Sequence, residues 1–228
     1  NGKETILHTR RRALEHLELL EPLAFGALET PGTLEKGSRM TTLFVNACAW
    51  EHSRTHALCR EYLSDISDVE EVALFERDLQ PLNWERLSKR DRLQQAKTWD
   101  DPLFDLAKQF AAADEIVIGA PYWDLSFPAV LKIYLELVSV NGITFHYTEA
   151  GMPEGLCCAQ RLIYITTSGG PCSKANYGYE YLQGMARLFG IPETYQISAE
   201  MLDVIGVDVE QTMADAAQCV RDLKASLS

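Results

Sequence analysis

Short apolar runs recur along the chain, with helix-like segments between them. Three of these runs, Thr41–Ala47, Glu115–Pro121 and Arg161–Thr167, are nearly continuous in apolar character. Such runs are typical of strands that are buried on both faces of a parallel sheet. Parallel strands need long crossover connections, and the amphipathic segments between the runs can provide them. The sequence therefore predicts an α/β protein.

The other segments complete a regular alternation of strand and helix. Further strands are predicted at Val69–Asp78 and Tyr195–Leu202, and the polar stretch Leu79–Trp99 is expected to be irregular. Helices are predicted from Ser53 onward and over Pro102–Ala113, Phe127–Val138, Tyr177–Phe189 and Val209–Leu227. Right-handed crossovers place helices on both faces of such a sheet. We expect a flavodoxin-like three-layer sandwich, whose five-stranded parallel sheet has the order 2-1-3-4-5 and binds ligands where its strands end.

Composition narrows the range of partners. The chain has 228 residues and a formal net charge of -12, which fits one α/β domain and opposes binding to nucleic acid. No stretch approaches the roughly 20 apolar residues that a membrane-spanning helix needs, so no membrane insertion is expected. The six cysteines form no CxxC pair and no metal-like spacing with histidine. We therefore predict no metal, and reduced thiols in a cytoplasmic protein.

Residues 1–39 differ from the rest of the chain. They contain six basic and six acidic residues, so residues 40–228 carry the whole net charge. Met40 directly precedes the first strand-like run. Two interpretations stay open: residues 1–39 are a leader or upstream extension of a domain that spans residues 40–228, or Thr9–Leu28 is an amphipathic helix packed on that domain. We favour the first interpretation.

The loop after the first predicted strand resembles an anion site. It begins at Asn46 and ends where Ser53, Arg54 and Thr55 open a helix. Backbone N–H groups at a helix start have no partner within the helix, and the helix dipole favours negative charge there. The side chains of these residues add donors for a phosphate. The loop is neither a Walker A motif nor GxGxxG, so a monophosphate is expected. Taken alone, Ser53 is better explained as a simple helix cap.

Two further loops follow central strands and suit a flat ring. The loop after the third predicted strand carries Pro121, Tyr122, Trp123, Asp124 and Leu125. Aromatic side chains beside backbone polar groups can hold an apolar ring with a polar rim. The alternative is that these aromatic residues belong to the core or to an interface.

The loop after the fourth predicted strand contains Thr167, Ser168, Gly169 and Gly170. Two adjacent glycines allow the backbone to approach a ligand closely, although a plain turn would have the same composition. All three loops are expected at carboxyl ends of parallel strands. Their combination therefore predicts a binding site for a singly phosphorylated ring system at that edge of the sheet.

The same residues resemble those of the FMN-dependent NADH-azoreductase and NAD(P)H quinone oxidoreductase family. The similarity lies in Gly119–Trp123, Phe127–Lys132, Gly142–Glu149 and Pro153–Leu156, followed by the TSGG at Thr167–Gly170. The resemblance extends over nearly all of residues 40–228. It departs from the usual pattern at Asn46, where a serine is common, at Asp124, where an asparagine is common, and at Ser168, where a charged residue is often found.

The resemblance implies a homodimer that binds FMN in these three loops and oxidises NADH or NADPH. Hydride would pass by a ping-pong reaction to quinones or azo compounds. No side chain is expected to act as a catalytic acid or base. The substrate pocket would involve Tyr147 and Phe127, the former in a hairpin over the site. The alternative is a flavodoxin-type electron carrier, which would bind FMN without turnover of its own.

Overall fold

The computed structural model describes residues 40–50, 52–172 and 175–227. The expectation for residues 1–39 lies outside this range. The five strands of the main sheet are β1 (Thr42–Asn46), β2 (Val69–Ala73), β3 (Glu115–Gly119), β6 (Arg161–Thr167) and β7 (Glu193–Ala199). Strands β4 (Phe145–Tyr147) and β5 (Pro153–Gly155) form a separate antiparallel hairpin. The α-helices are α1 (Arg54–Leu63), α2 (Trp84–Gln95), α3 (Asp105–Ala112), α4 (Ala129–Val138), α5 (Tyr177–Phe189) and α6 (Val209–Leu227).

The main sheet is parallel throughout and has the order β2-β1-β3-β6-β7. The registers of the central strands align their ends, since Thr42 pairs with Glu115 and Glu115 pairs with Arg161. Counting only the strands of this sheet, the order is 2-1-3-4-5. The flavodoxin-like architecture predicted from the sequence is thereby confirmed.

Alternate residues of the central strands point into two separate apolar cores. Leu43, Val45, Ile116 and Ile118 face a core that includes the buried side chains of α3, α4 and α5. The opposite core contains Phe44, Val117 and Ile163 from the strands, together with buried residues of α1 and α6. Because both faces of the strands are covered, the apolar runs have no polar alternation. The helices on each face leave the strand ends free for loops.

The prediction that Leu79–Trp99 is irregular was wrong, because α2 occupies Trp84–Gln95. This helix buries none of its residues, so it has no apolar stripe to reveal it in the sequence. Asn83 caps it by accepting a hydrogen bond from the N–H of Arg86 at 2.9 Å. The guanidinium of Arg90 donates to the carbonyls of Glu136 and Ser139 at the end of α4, which anchors the helix. Capping and anchoring thus add to the partial burial of Leu93 against the core.

Two predicted strand boundaries were also wrong. The second strand ends at Ala73, and Leu74–Glu76 forms a 3-10 turn that buries Leu74 completely. The last strand spans Glu193–Ala199 rather than Tyr195–Leu202. Met201 has a φ of 66°, which ends the extended backbone soon after this strand. Leu202 is therefore a buried loop residue.

The hairpin β4-β5 is seated on the C-terminal end of α5. A Cβ placed on Gly155 would lie 2.0 Å from the backbone nitrogen of Gly190 and from the carbonyl carbon of Phe189. The N–H of Cys157 donates to the carbonyl of Phe189 at 3.2 Å. Only a glycine permits this approach of two backbones. The contact fixes the position of the hairpin, which carries Tyr147.

Candidate functional site

A cleft of about 420 Å³ lies at the carboxyl ends of the central strands. It is formed by the three loops that the sequence indicated, together with the loop that follows β7. Its lining residues are Trp50, His52, Ser53, Arg54, Pro121, Tyr122, Trp123, Thr167, Ser168, Gly169, Leu202 and Asp203. The volume falls within the range of roughly 300–1,000 Å³ that is usual for small-molecule sites.

A larger groove of about 820 Å³ lies elsewhere, along α3 and the edge strand β2. Its lining consists of half-buried helix residues such as Lys108 and Gln109 with parts of the strand edge, including Glu70. Among the described residues, its lining includes no aromatic side chain and no glycine. It therefore lacks the convergence of ring surface and backbone donors that the smaller cleft has.

The start of α1 forms one wall of the cleft. Ser53 is the N-cap residue, with extended backbone angles, and its hydroxyl oxygen accepts a hydrogen bond from the N–H of His56 at 3.3 Å. The free N–H groups of the first turn and the guanidinium of Arg54 are donors for an anion. Ser53 and Arg54 both line the cleft, and their assignment to a common anion site stays a prediction.

Thr55 and Asn46 have different surroundings from those expected of direct ligands. The hydroxyl of Thr55 is fully buried and lies 2.7 Å from that of Thr167, so it joins the first loop to the third. Asn46 donates to the carboxylate of Glu71 at 2.8 Å and accepts from the N–H of Cys48 at 2.9 Å. Both side chains hold the loops in place, and neither belongs to the lining.

The second loop presents an exposed ring. The N–H of Tyr122 donates to the carbonyl of Thr167 at 2.9 Å, and its hydroxyl donates to the carbonyl of Ala175 at 3.0 Å. The indole of Trp123 is 41% exposed and meets the ring of Phe75 edge-on at 6.4 Å. The loop is thus pinned on both sides while a flat apolar surface stays open to the cleft.

A tight turn supports Trp123. The backbones of Trp123 and Ser126 exchange two hydrogen bonds, with N···O distances of 3.1 and 2.9 Å. The two residues between them, Asp124 and Leu125, have φ values of 50° and 67°. Positive φ at both central positions is the geometry of a type I′ turn, which normally favours Asn and Gly. Asp124 and Leu125 lie at the tip of the turn and outside the lining.

The third loop and the loop after β7 close the other side. Ser168 donates through its hydroxyl to the carbonyl of Gly170 at 2.6 Å, which folds the loop back on itself. The carboxylate of Asp203 lies over Gly169, where an added Cβ would be 2.3 Å from Oδ2. Gly170 lies next to the lining, and a Cβ there would meet no atom within 4 Å.

Four lining residues were not among the residues assigned from the sequence: Trp50, His52, Leu202 and Asp203. Trp50 and His52 belong to the first loop, so its composition could have indicated them. Leu202 and Asp203 follow an edge strand and carry no motif. Only the pairing of β6 with β7 brings them to the cleft.

The two candidate substrate residues differ in exposure. Tyr147 is 57% exposed on β4 and meets Phe145 edge-on at 5.6 Å. Phe127 is only 9% exposed and packs against Tyr181 with a ring distance of 5.8 Å. Phe127 therefore lies in the core. Neither residue belongs to the described lining of the cleft, and Tyr147 lies on the hairpin that packs against the C-terminal end of α5.

Burial favours the neutral forms of the thiols and of the Tyr122 hydroxyl near the cleft. Burial raises the pKa of the Cys48 thiol to about 11, which keeps it protonated at neutral pH. Burial also raises the pKa of Cys172 and that of the Tyr122 hydroxyl. Among the described residues, no three His, Cys, Asp or Glu side chains are grouped as metal ligands would be. The arrangement is suited to binding a redox cofactor and offers no activated nucleophile.

The residues present fit a flavin mononucleotide. The helix start with Ser53 and Arg54 suits one phosphate, and the exposed face of Trp123 suits a planar ring. Gly170, where an added Cβ would meet no described atom within 4 Å, leaves its backbone open to a ligand, whereas the Asp203 carboxylate occupies the space over Gly169. In the described part of the chain, no helix has the length and apolar character needed to cross a membrane.

Solved structures resemble this fold over most of its length. An azoreductase from Bacillus anthracis superposes with a TM-score of 0.72 at 21% identity, covering 81% of this chain and 98% of that one. An FMN-dependent NADH-azoreductase from the same species, solved in complex with FMN, has a TM-score of 0.70 at 20% identity and covers 82% and 99%. At these identities the likeness shows the fold.

Sequence comparison identifies the family. An FMN-dependent NADH:quinone oxidoreductase of Coprothermobacter proteolyticus is 32% identical over 177 residues, which are 73% of this chain and 88% of that protein. A second such enzyme, from Clostridium acetobutylicum, is 40% identical over 128 residues, 54% of this chain and 64% of that protein. The family model described as flavodoxin-like fold matches residues 40–223. With the fold, the cleft and these matches in agreement, the chain belongs to the Flavodoxin_2 family of flavodoxin-like proteins.

Proposed function

We propose that this protein is an FMN-dependent NADH:quinone oxidoreductase. The observation that carries the proposal is the meeting, in one cleft, of a helix start, an exposed indole and a glycine loop. Each feature matches one part of FMN: the phosphate, the planar ring and the ring edge. The names of the curated relatives support both the cofactor and the reductant.

In this proposal, the protein's side chains bind and orient FMN. Ser53 and Arg54 would hold the phosphate, and Thr55 would keep the helix start in register with the third loop through Thr167. Tyr122 and Trp123 would border the ring, with Tyr122 held in place by its bond to Ala175. The backbone of Ser168 and Gly169 would face the polar edge of the ring. Bound FMN supplies two-electron chemistry between a nicotinamide and an oxidant.

We further propose that NADH and the oxidant use the same face of the cleft in turn, which gives ping-pong kinetics. Quinones are the favoured oxidants, and azo compounds and NADPH are additional candidates. A flat oxidant could stack where the nicotinamide had been, against the exposed indole of Trp123. Double-reciprocal plots of rate against quinone concentration, taken at several NADH concentrations, would then be parallel lines. Intersecting lines would contradict this order of binding.

The proposal includes a homodimer. Exposed aromatic and aliphatic side chains surround the cleft, among them Trp50 (74%), Leu125 (52%) and Tyr177 (57%). Trp50 and Trp123 line the cleft itself, and the carbonyl of Leu125 bonds the N–H of Tyr177. Apolar side chains concentrated in this way favour a protein interface. Light scattering after size-exclusion chromatography would measure the mass, and a monomer at micromolar concentration would contradict this part of the proposal.

Cofactor binding is tested by titrating the purified protein with FMN and following the flavin fluorescence. The variant Ser53→Ala removes a helix cap and a phosphate donor. The matched control is Asn83→Ala, which removes the equivalent cap of α2 at a site outside the cleft. Both variants should lose about 1 kcal/mol of stability. Only Ser53→Ala should weaken FMN binding, and equal affinities for the two variants would refute the assignment of the phosphate site.

Turnover is tested with the FMN-loaded protein, NADH and menadione under nitrogen. Catalytic oxidation of NADH, measured at 340 nm, is expected to depend on menadione. An electron carrier of the flavodoxin type would bind FMN and yet consume almost no NADH. FMN binding without turnover would therefore support the carrier and overturn the enzyme.

A further inference from the structure

The loop that follows β7 brings a carboxylate into the cleft. Its backbone is bonded to the third loop: the N–H of Leu202 donates to the carbonyl of Ser168 at 3.1 Å, and that of Asp203 donates to the carbonyl of Gly169 at 3.0 Å. The N–H of Met201 extends the series to Gly170 at 3.3 Å. Three successive backbone bonds fix where the side chain of Asp203 can reach.

The carboxylate of Asp203 pairs with the guanidinium of Arg54. Oδ1 lies 3.2 Å from Nη1, and Oδ2 occupies the space over Gly169 that a Cβ would need. The two partners come from loops 149 positions apart in sequence and face each other across the cleft. The guanidinium that a phosphate would use is therefore already engaged by an anion of the protein.

We propose that Asp203 is an internal competitor of the flavin phosphate for Arg54. The inference rests on the proposed function, because it assumes that FMN binds with its phosphate at the start of α1. The pair is exposed, with side-chain exposures of 47% for Arg54 and 74% for Asp203. An exposed ion pair of this kind is weak, so a dianionic phosphate can displace the carboxylate. Asp203 then lowers the affinity for FMN without blocking the site.

The proposal distinguishes phosphorylated from unphosphorylated ligands. Riboflavin has the same ring and ribityl chain as FMN but no phosphate to compete for Arg54. If Asp203 acts by competition, its removal increases the affinity for FMN and leaves the affinity for riboflavin unchanged. If Asp203 instead accepted a hydrogen bond from the ribityl chain, its removal would weaken both ligands. If it only shaped the loop, both ligands would change together.

The experiment measures dissociation constants of FMN and riboflavin by fluorescence for the wild type and for Asp203→Asn. The control is Asp91→Asn, the same charge change on α2, where Asp91 adjoins the residue that anchors this helix to α4. We expect Asp203→Asn to bind FMN about two- to fivefold more tightly, the factor that corresponds to an exposed ion pair. Its affinity for riboflavin, and both affinities of Asp91→Asn, should stay within twofold of the wild type in low salt.

Two further measurements sharpen the result. In an Arg54→Gln background, the added change Asp203→Asn should increase the affinity for FMN by a smaller factor, because the guanidinium for which the two anions compete is gone. When Arg54 is present, the increase in FMN affinity caused by Asp203→Asn should also become smaller at 0.5 M salt, in which charges are screened within about 4 Å. Weaker FMN binding by Asp203→Asn, or an equal gain for riboflavin, would overturn the proposal.

Failure of the proposed function gives a different result. In that case the wild type binds neither flavin, and inorganic phosphate becomes the probe, followed by the amide NMR shifts of residues 53–56. Tighter phosphate binding by Asp203→Asn than by the wild type would still support competition for Arg54. Equal phosphate binding would refute it.

Discussion

Gly155 is the position at which one added methyl group should disturb the protein most. In Gly155→Ala, the new Cβ would lie 2.0–2.2 Å from the backbone N of Gly190 and from the carbonyl atoms of Phe189. Ordinary contacts begin near 3.4 Å. The hairpin and the end of α5 must therefore separate by more than 1 Å, and neither partner is a flexible side chain that could turn away.

The expected cost follows from what the separation disrupts. Overpacking a tight site costs roughly 1–3 kcal/mol. The shift also strains the hydrogen bond from Cys157 to Phe189, 3.2 Å long, which contributes about 1 kcal/mol. We expect a loss of about 3 kcal/mol, which corresponds to a fall in Tm of roughly 6–12 °C for a chain of this size.

Gly184→Ala is the matched control. Gly184 is exposed in the interior of α5, and an added Cβ would meet no atom within 4 Å. Alanine favours a helix over glycine by about 0.5–1 kcal/mol, so this variant should be more stable than the wild type. Urea unfolding at 25 °C measures both changes. A Gly155→Ala protein within 0.5 kcal/mol of the wild type, with an unchanged m-value, would refute the seating of the hairpin on α5.

Three further outcomes are expected. Thr55→Val, which leaves the buried Thr167 hydroxyl without its partner at 2.7 Å, should lose about 1–2 kcal/mol in urea unfolding, whereas a neutral result would show that the bond is not formed. Leu125→Asn should raise the free energy of unfolding by about 0.5–1 kcal/mol, because asparagine tolerates a φ of 67° better than leucine and little burial is lost. A lower free energy of unfolding would contradict the turn geometry. Glu115 is buried beside Arg161, and burial raises the pKa of its carboxyl above the usual value. A raised folded-state pKa stabilises the protein below the unfolded-state pKa, and this contribution is lost as pH rises through the folded-state value. The stability of the wild type relative to Glu115→Gln should therefore decrease as the pH rises above about 4.5, and a difference that is constant from pH 4 to pH 7 would contradict the raised pKa.

The central strands and the order of elements could be predicted because burial on both faces leaves a direct trace in the sequence. Residues such as Val117 and Ile118 face opposite cores, so both must be apolar and the run becomes continuous. Helix α2 could not be predicted in this way, because it buries no residue fully and is held in part by the Asn83 cap and by Arg90. Polar contacts of this kind have no periodicity.

The three loops that line the cleft could be singled out in the sequence because each follows a strand and contains residues with a local property: a helix cap, aromatic side chains or paired glycines. What the sequence alone could not decide is which side chains reach the cleft and which hold its walls. The hydroxyl of Thr55 contacts that of Thr167, Phe127 lies in the core, and Asp203, which follows an edge strand, lines the cleft. These outcomes depend on the parallel pairing of β6 with β7 and on the positions of the loops in space. Contacts between residues more than 100 positions apart are set only when the sheet has formed.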